Sequence, residues 1–246
     1  MTRFSIITVA LNSEKYIRKT LQSVADQDFC DYEHIVWDGG SSDGTMDIIE
    51  DFPHVKLICG SDSGISDAMN KGAQSARGEF LIHLHSDDLF HSSMVLGFLD
   101  TFLRQHPGAL WVYGRADIID DCGATIRHTP FIPYDAARLR KYNIITHPAT
   151  VVSRKLFHEV GGFDVNIRYC MDYDLWLRLS KLVSAWATPI VMANFREHKN
   201  SLSTRDQRNV ADEAYKVRNM YVESLWERFR SYRTWKSRLR NLLASR

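Results

Sequence analysis

Four short apolar runs of strand character in the first 84 residues restrict this chain more than any other feature: RFSIITVA (3–10), EHIVW (33–37), VKLIC (55–59) and FLIHL (80–84). Apolar and β-branched residues fill them almost continuously, as in strands buried on both faces of a parallel sheet. Between them lie helical stretches. Tyr16, Ile17, Leu21 and Val24 recur at helical spacing after Asn12 or Ser13, either of which can cap. Thr45 opens a second, and SDAMNKGAQSA forms a third, closed by the turn Arg77-Gly78-Glu79. A β-α-β-α-β succession within about sixty residues predicts a parallel, nucleotide-binding half-sheet of α/β class. Ligands bind such sheets at the carboxyl ends of the strands. Acids stand there in three places: Asp38, Asp62 and the pair Asp87/Asp88. They are expected to surround one crevice.

The Asp87/Asp88 pair has two readings. It can hold a divalent cation against phosphate oxygens, because hard cations prefer oxygen ligands. Alternatively SDD caps the next helix, with Ser92 or Ser93 as a second candidate cap for Val95 to Leu103. Asp38 likewise either accepts hydrogen bonds from a base or ribose or caps its own loop. DGGSSDGT lacks the Gly-Lys-Ser/Thr ending of a Walker A loop and is not GxGxxG.

After Pro107-Gly108 the pattern changes. Leu110 to Ile119 and Thr125 to Thr129 flank a turn and predict an antiparallel hairpin. A short helix near Asp135 to Tyr142, a strand with a Ser153-capped helix, the helix MDYDLWLRLSKL and a strand from Ala185 to Ala193 follow. The expected organisation is one domain over 1–212, with a nucleotide half (1–109) and an α+β acceptor half (110–212), plus a helical tail over 213–246. The 246 residues suffice for that core.

Composition narrows the partners. The net charge is +1, but seven basic residues and no acid lie from Arg228 onward, leaving 24 basic against 30 acidic residues elsewhere. An acidic body without a recognition motif argues against nucleic acid. Cys30, Cys59, Cys122 and Cys170 are scattered, which predicts reduced thiols in a cytoplasmic protein and no zinc site. The first apolar run is too short and too polar for a signal peptide, and nothing approaches a transmembrane span. The tail interleaves Tyr221, Leu225, Trp226, Phe229, Tyr232 and Trp235 with arginines. Such a helix suits the anionic inner face of a membrane; the other expectations are packing on its own domain or on a second subunit of a homodimer.

The blocks SIITVALN, IVWDGGSSDGT, SDSGISDAMNKGAQSARGEFLIHLHSDD and MDYDLWLRL, in this order and spacing, resemble family 2 glycosyltransferases of the inverting GT-A type over roughly residues 3 to 200. The resemblance implies a GT-A, Rossmann-like sheet and transfer of a hexose from a nucleotide sugar, commonly UDP-linked, to a glycan or lipid-linked hydroxyl in polysaccharide synthesis. Thr8, Ala10 and Asn12 then line the nucleotide pocket, Asp38 meets the base, and Asp62, Asp67 and Lys71 lie in the block closing over the nucleotide. His85-Ser86-Asp87 takes the place of the Asp-x-Asp metal motif for Mg²⁺ or Mn²⁺, Asp172 that of the catalytic base, and His198 that of a histidine near the metal or diphosphate. Two departures stand out: His85 replaces an acid, and Met171 precedes Asp172.

Three residues carry open readings on the acceptor side. Trp176 is either a sugar platform or core, Arg178 follows it on the same helix, and His147 is either an acceptor contact or a structural hydrogen-bonder. Two rivals to a transferase remain: a nucleotidyltransferase, which would want a glycine-rich loop after the first strand, and a non-catalytic nucleotide-sugar-binding subunit, suggested by His85.

Overall fold

The computed structural model describes residues 2–199, 201–221 and 235–236. Its centre is a parallel unit of β1 (Phe4–Ala10), β2 (Tyr32–Asp38), β3 (Val55–Cys59) and β4 (Phe80–His83), in spatial order β3-β2-β1-β4. Strand β1 is buried on both faces, as its nearly continuous apolar run requires. Its side chains alternate: Ile7 and Val9 enter one core cluster, while Phe4 and Ile6 enter a second. Helices α1 (Ile17–Ala25), α2 (Thr45–Glu50) and α3 (Ile65–Gln74) make the crossovers. Helix α3 lies so close to β1 that a Cβ on Gly72 would stand 2.6 Å from the Ile7 side chain.

The acceptor half extends the same sheet past β4, now largely antiparallel. β8 (Thr150–Ser153) pairs β4, β6 (Trp111–Ile119) pairs β8, and β9 (Trp186–Arg196) runs parallel to β6. β5 (Leu89–Phe90) closes the edge against β9, and β7 (Thr125–His128) completes the expected hairpin with β6. Thus SDD does not start a helix: it leads into β5, and α4 (Val95–Gln105) begins only later. Helices α5 (Ala136–Leu139), α6 (Arg154–Glu159), α7 (Met171–Leu179), α8 (Leu202–Arg205) and α9 (Gln207–Met220) complete the described chain. Helix α9 runs across the division expected at 212/213 and packs on α7.

The expected serine caps do not form. Helix α1 has no side-chain cap, and Ser13 instead receives Tyr16 and Ile17 amides on its carbonyl. At α4 the amide of Leu96 donates to Gln27 Oε1, and neither Ser92 nor Ser93 caps. Ser153 precedes α6 without a side-chain cap bond. The four cysteines are free. No helix among the described residues is long and apolar enough to cross a membrane. Most of the tail beyond Tyr221, and with it the expected membrane or subunit contact, lies outside the described residues.

Candidate active site

Strand β4 ends where Leu84 donates its amide to Ile7, and the chain turns at 85–88 with the Asp88 amide on the His85 carbonyl. This turn is bolted to the end of β9. Arg196 donates its amide to Asp88 Oδ1 at 2.9 Å and its Nε to the Asp87 carbonyl at 3.0 Å. The guanidinium, fully buried, also reaches the Asp120 carbonyl and lies 4.8 Å from the Tyr16 ring. His85, Asp87 and Asp88 thereby bring one ligand atom each within 4.8 Å of one another.

That cluster fits a divalent cation. Asp88 Oδ2 and His85 Nε2 are both buried without a hydrogen-bond partner, an arrangement that is costly unless another group satisfies them. Burial, reinforced by Asp87, raises the Asp88 carboxyl well above the usual carboxylate range. Burial also lowers His85, leaving a neutral imidazole able to donate its lone pair to a metal. Its ring stacks on His147 at 4.7 Å, and His147 is itself held well below its ordinary value by burial. His198 joins from the other side, with Nε2 2.9 Å from Asp87 Oδ2 and its ring 4.9 Å from Tyr16.

His85, Asp87 and His198 face a cavity of about 450 Å³ at the carboxyl ends of β1 and β4, lined also by Ala10, Asp62, Ser86, His147, Met171 and Asp172, with Asp88 buried behind it. Asp172 stands in the first turn of α7. Its Oδ1 accepts the Tyr173 amide at 2.6 Å and its Oδ2 accepts Asn143 Nδ2 at 3.1 Å. Burial outweighs both donors and pushes the carboxyl up to about 6. Asp172 also lines a second chamber of about 280 Å³, walled by Tyr142, Asn143, Tyr169, Tyr215, Arg218 and Trp235. One carboxylate therefore borders two spaces.

The expected site residues divide into those that meet at the cavity and those that do not. Ala10, Asp62, His85, Ser86, Asp87, His147, Asp172 and His198 meet there. Asp62 is partly committed, its oxygens taking the Trp37 indole at 3.1 Å and the Gly64 amide at 3.0 Å. Thr8 does not line it: the side chain is buried against His34 Nε2 at 3.0 Å. Asp38 is buried and occupied as a loop cap, accepting Gly40 N, Ser41 N and Ser41 Oγ. Asn12 accepts the Ser42 amide, with a left-handed φ of 51°. Asp67 and Lys71 pair with each other at 2.9 Å.

Two residues with open acceptor-side readings, Trp176 and Arg178, do not line the cavity. Trp176 is 2% exposed and stacks on Trp111 at 5.7 Å. It shares the Asp172 stripe of α7 but sits one turn deeper, in the core. Arg178 is spent on Asp174 at 2.7 Å and on the Val160 carbonyl. Asn143 and Arg196 were not singled out by the sequence, whereas Asp88 was, as half of the Asp87/Asp88 pair. Arg196 lies three residues past the expected strand end at Ala193, and neither it nor Asn143 belongs to a local pattern.

Known proteins place this geometry. Residues 5–161 match the description "Glycosyl transferase family 2". A PGL/p-HBAD biosynthesis glycosyltransferase of Mycobacterium tuberculosis is 34% identical over 183 residues, covering 71% of this chain and 68% of that protein. Escherichia coli chondroitin synthase is 29% identical over 182 residues, 72% of this chain but 26% of that protein. Among solved structures, S. aureus TarS 1-349 in complex with UDP superimposes with a TM-score of 0.67 at 20% identity, over 87% of this chain and 65% of that one. The mannosyltransferase PcManGT from Pyrobaculum calidifontis, in complex with GDP-Man and Mn²⁺, gives 0.68 at 17%, over 90% and 65%. The chain thus spans slightly less than two thirds of those solved chains and shares their fold. With residues 5–161 matched and a relative 34% identical over 71% of this chain, this chain belongs to glycosyl transferase family 2.

Proposed function

We propose that the chain transfers a hexose from a nucleotide sugar to a hydroxyl acceptor with inversion, Asp172 serving as general base. The observation that carries this reading is the position of Asp172, which borders both the cavity lined by His85 and Asp87 and the aromatic chamber beside α9. The larger cavity takes the donor, and the chamber admits the acceptor. An acceptor hydroxyl has a pKa far above 7 and needs a carboxylate within hydrogen-bond reach, a contribution of roughly 10²–10⁴ in rate. Asp172, pushed up to about 6, is mostly ionised at neutral pH and a stronger base than an ordinary aspartate. Its Oδ2 takes the proton as the hydroxyl oxygen bonds to the anomeric carbon and the diphosphate leaves from the opposite face. His85, Asp87 and Asp88 would hold a divalent cation, which supplies Lewis-acid stabilisation to a leaving diphosphate. Imidazole in that set favours Mn²⁺ over Mg²⁺. His198 holds Asp87 in orientation.

The UDP, GDP-Man and Mn²⁺ present in the solved neighbours support a nucleotide-sugar donor and a cation. Screening nucleotide sugars for cation-dependent thermal stabilisation identifies the donor. With that donor, Asp172→Asn is expected to lose transfer by at least about 10²-fold while donor affinity stays near wild type. Asp87→Ala is expected to weaken nucleotide binding only when Mn²⁺ is present. Wild-type turnover in Asp172→Asn would refute the base.

A further inference from the structure

The loop that launches the base helix is held by one carboxylate from another element. Arg168, Tyr169 and Cys170 immediately precede α7, and their three successive backbone amides all donate to Glu213 of α9. Arg168 N reaches Oε1 at 3.0 Å; Tyr169 N and Cys170 N reach Oε2 at 2.5 and 2.8 Å. Amide donors next to a helix N-terminus have no intrahelical partner, and a carboxylate there also opposes the positive end of the helix dipole. Charge-assisted bonds of this kind are roughly twice as strong as neutral ones. More ties run in parallel: Tyr169 Oη donates to Asp206, Cys170 Sγ to the Val210 carbonyl, and Tyr221 Oη to Asp174. Asp172 is only two residues beyond the last clamped amide.

We propose that Glu213 is a positioning residue for the base: by fixing the amides of 168–170 it sets where α7 begins and so where the Asp172 carboxylate stands. The inference rests on the reading of Asp172 as base. It makes α9 a working part of the acceptor side, because the same helix supplies Tyr215 and Arg218 to the chamber that Asp172 borders. An unclamped loop would let the first turn of α7 fray, moving Asp172 and admitting water to it.

The test uses the full chain with Glu213→Ala, Glu213→Gln and Glu213→Asp. Hydrogen exchange by mass spectrometry reads the amides of 168–173, and ¹³C NMR follows the Asp172 carboxyl through pH. In Glu213→Ala, exchange in that segment is expected to quicken by about tenfold or more, with exchange in β1 unchanged. The Asp172 midpoint should fall from about 6 toward the ordinary carboxylate range, since burial is what raises it. Glu213→Asp, which keeps the charge, should restore part of both. If Glu213→Ala does not fold, Glu213→Gln decides by the same readings, because it keeps the shape and removes the charge. An unchanged midpoint and unchanged exchange in the folded variant would overturn the proposal, as would faster exchange spread evenly over the sheet. Neither outcome depends on turnover, so a failure of Asp172 as base, seen in Asp172→Asn, remains separate.

Discussion

At the residue scale the reactivity of Asp172 is set by opposing effects of different size. Burial raises its carboxyl, while the Tyr173 amide and then Asn143 lower it, and burial prevails to leave a value of about 6. Asn143 is aimed by its own oxygen, which accepts the Ile145 amide at 3.1 Å. Removing the Asn143 donor leaves the ionised form with one hydrogen bond fewer, so the carboxyl should rise further. Transfer by a general base falls as the base protonates, so activity should climb with pH through about 6 and level off above it. In Asn143→Ala that midpoint should move upward by about half to one pH unit, because the lost bond is to a charged group at a partly exposed site. A pH–rate profile of the variant checks this, and an unmoved midpoint would show that Asn143 does not bear on the base. The proposed base was picked out in the sequence through the family resemblance of MDYDLWLRL, a local block. Asn143 was not, since it lies 29 residues away and only the path of the chain between α5 and β8 brings it there.

At the scale of elements, legibility followed the range of the interaction that fixes each piece. The four parallel strands and the β6–β7 hairpin follow from runs and turns within a few residues, and they form where expected. The pairing of β8 between β4 and β6, and of the two-residue β5 with β9, depends on contacts between distant segments that no local pattern encodes. At Ser13 the cap failed for a related reason: Ser86 Oγ donates to Ser13 Oγ at 2.9 Å across the site, so a serine that could cap is taken by a tertiary partner. Glycine shows the same logic in α3. Gly72 leaves room for Ile7 of β1, and a methyl group there would overlap it at 2.6 Å. Gly72→Ala gains helix propensity of about 1 kcal/mol but forces α3 off the sheet at roughly 1–3 kcal/mol. The net expectation is a lower thermal midpoint; an equal or higher one would mean that Ile7 can shift aside.

At the scale of the whole molecule, the charge distribution separates the chemistry from whatever the chain rests on. The body is acidic, and the seven basic residues from Arg228 onward carry no acid among them. Residues up to Tyr221 include the cation cluster, Asp172 and the Glu213 clamp, so a chain ending at Tyr221 keeps the base helix tied while losing the basic aromatic stretch. It also loses Trp235, whose indole donates to Asp212 and stacks near Tyr215 on the chamber wall. Two effects of the truncation should therefore separate. Affinity for vesicles containing anionic lipid should drop sharply, because each basic residue near such a surface contributes about 1 kcal/mol, and the full chain should dissociate as salt shortens the Debye length. Donor-dependent thermal stabilisation should persist, because among the described residues the proposed donor cavity is lined by none beyond Leu202. Co-sedimentation with anionic and neutral vesicles at low and high salt measures the first. Equal sedimentation of the two chains would assign the basic stretch to packing on the protein and not to a membrane surface.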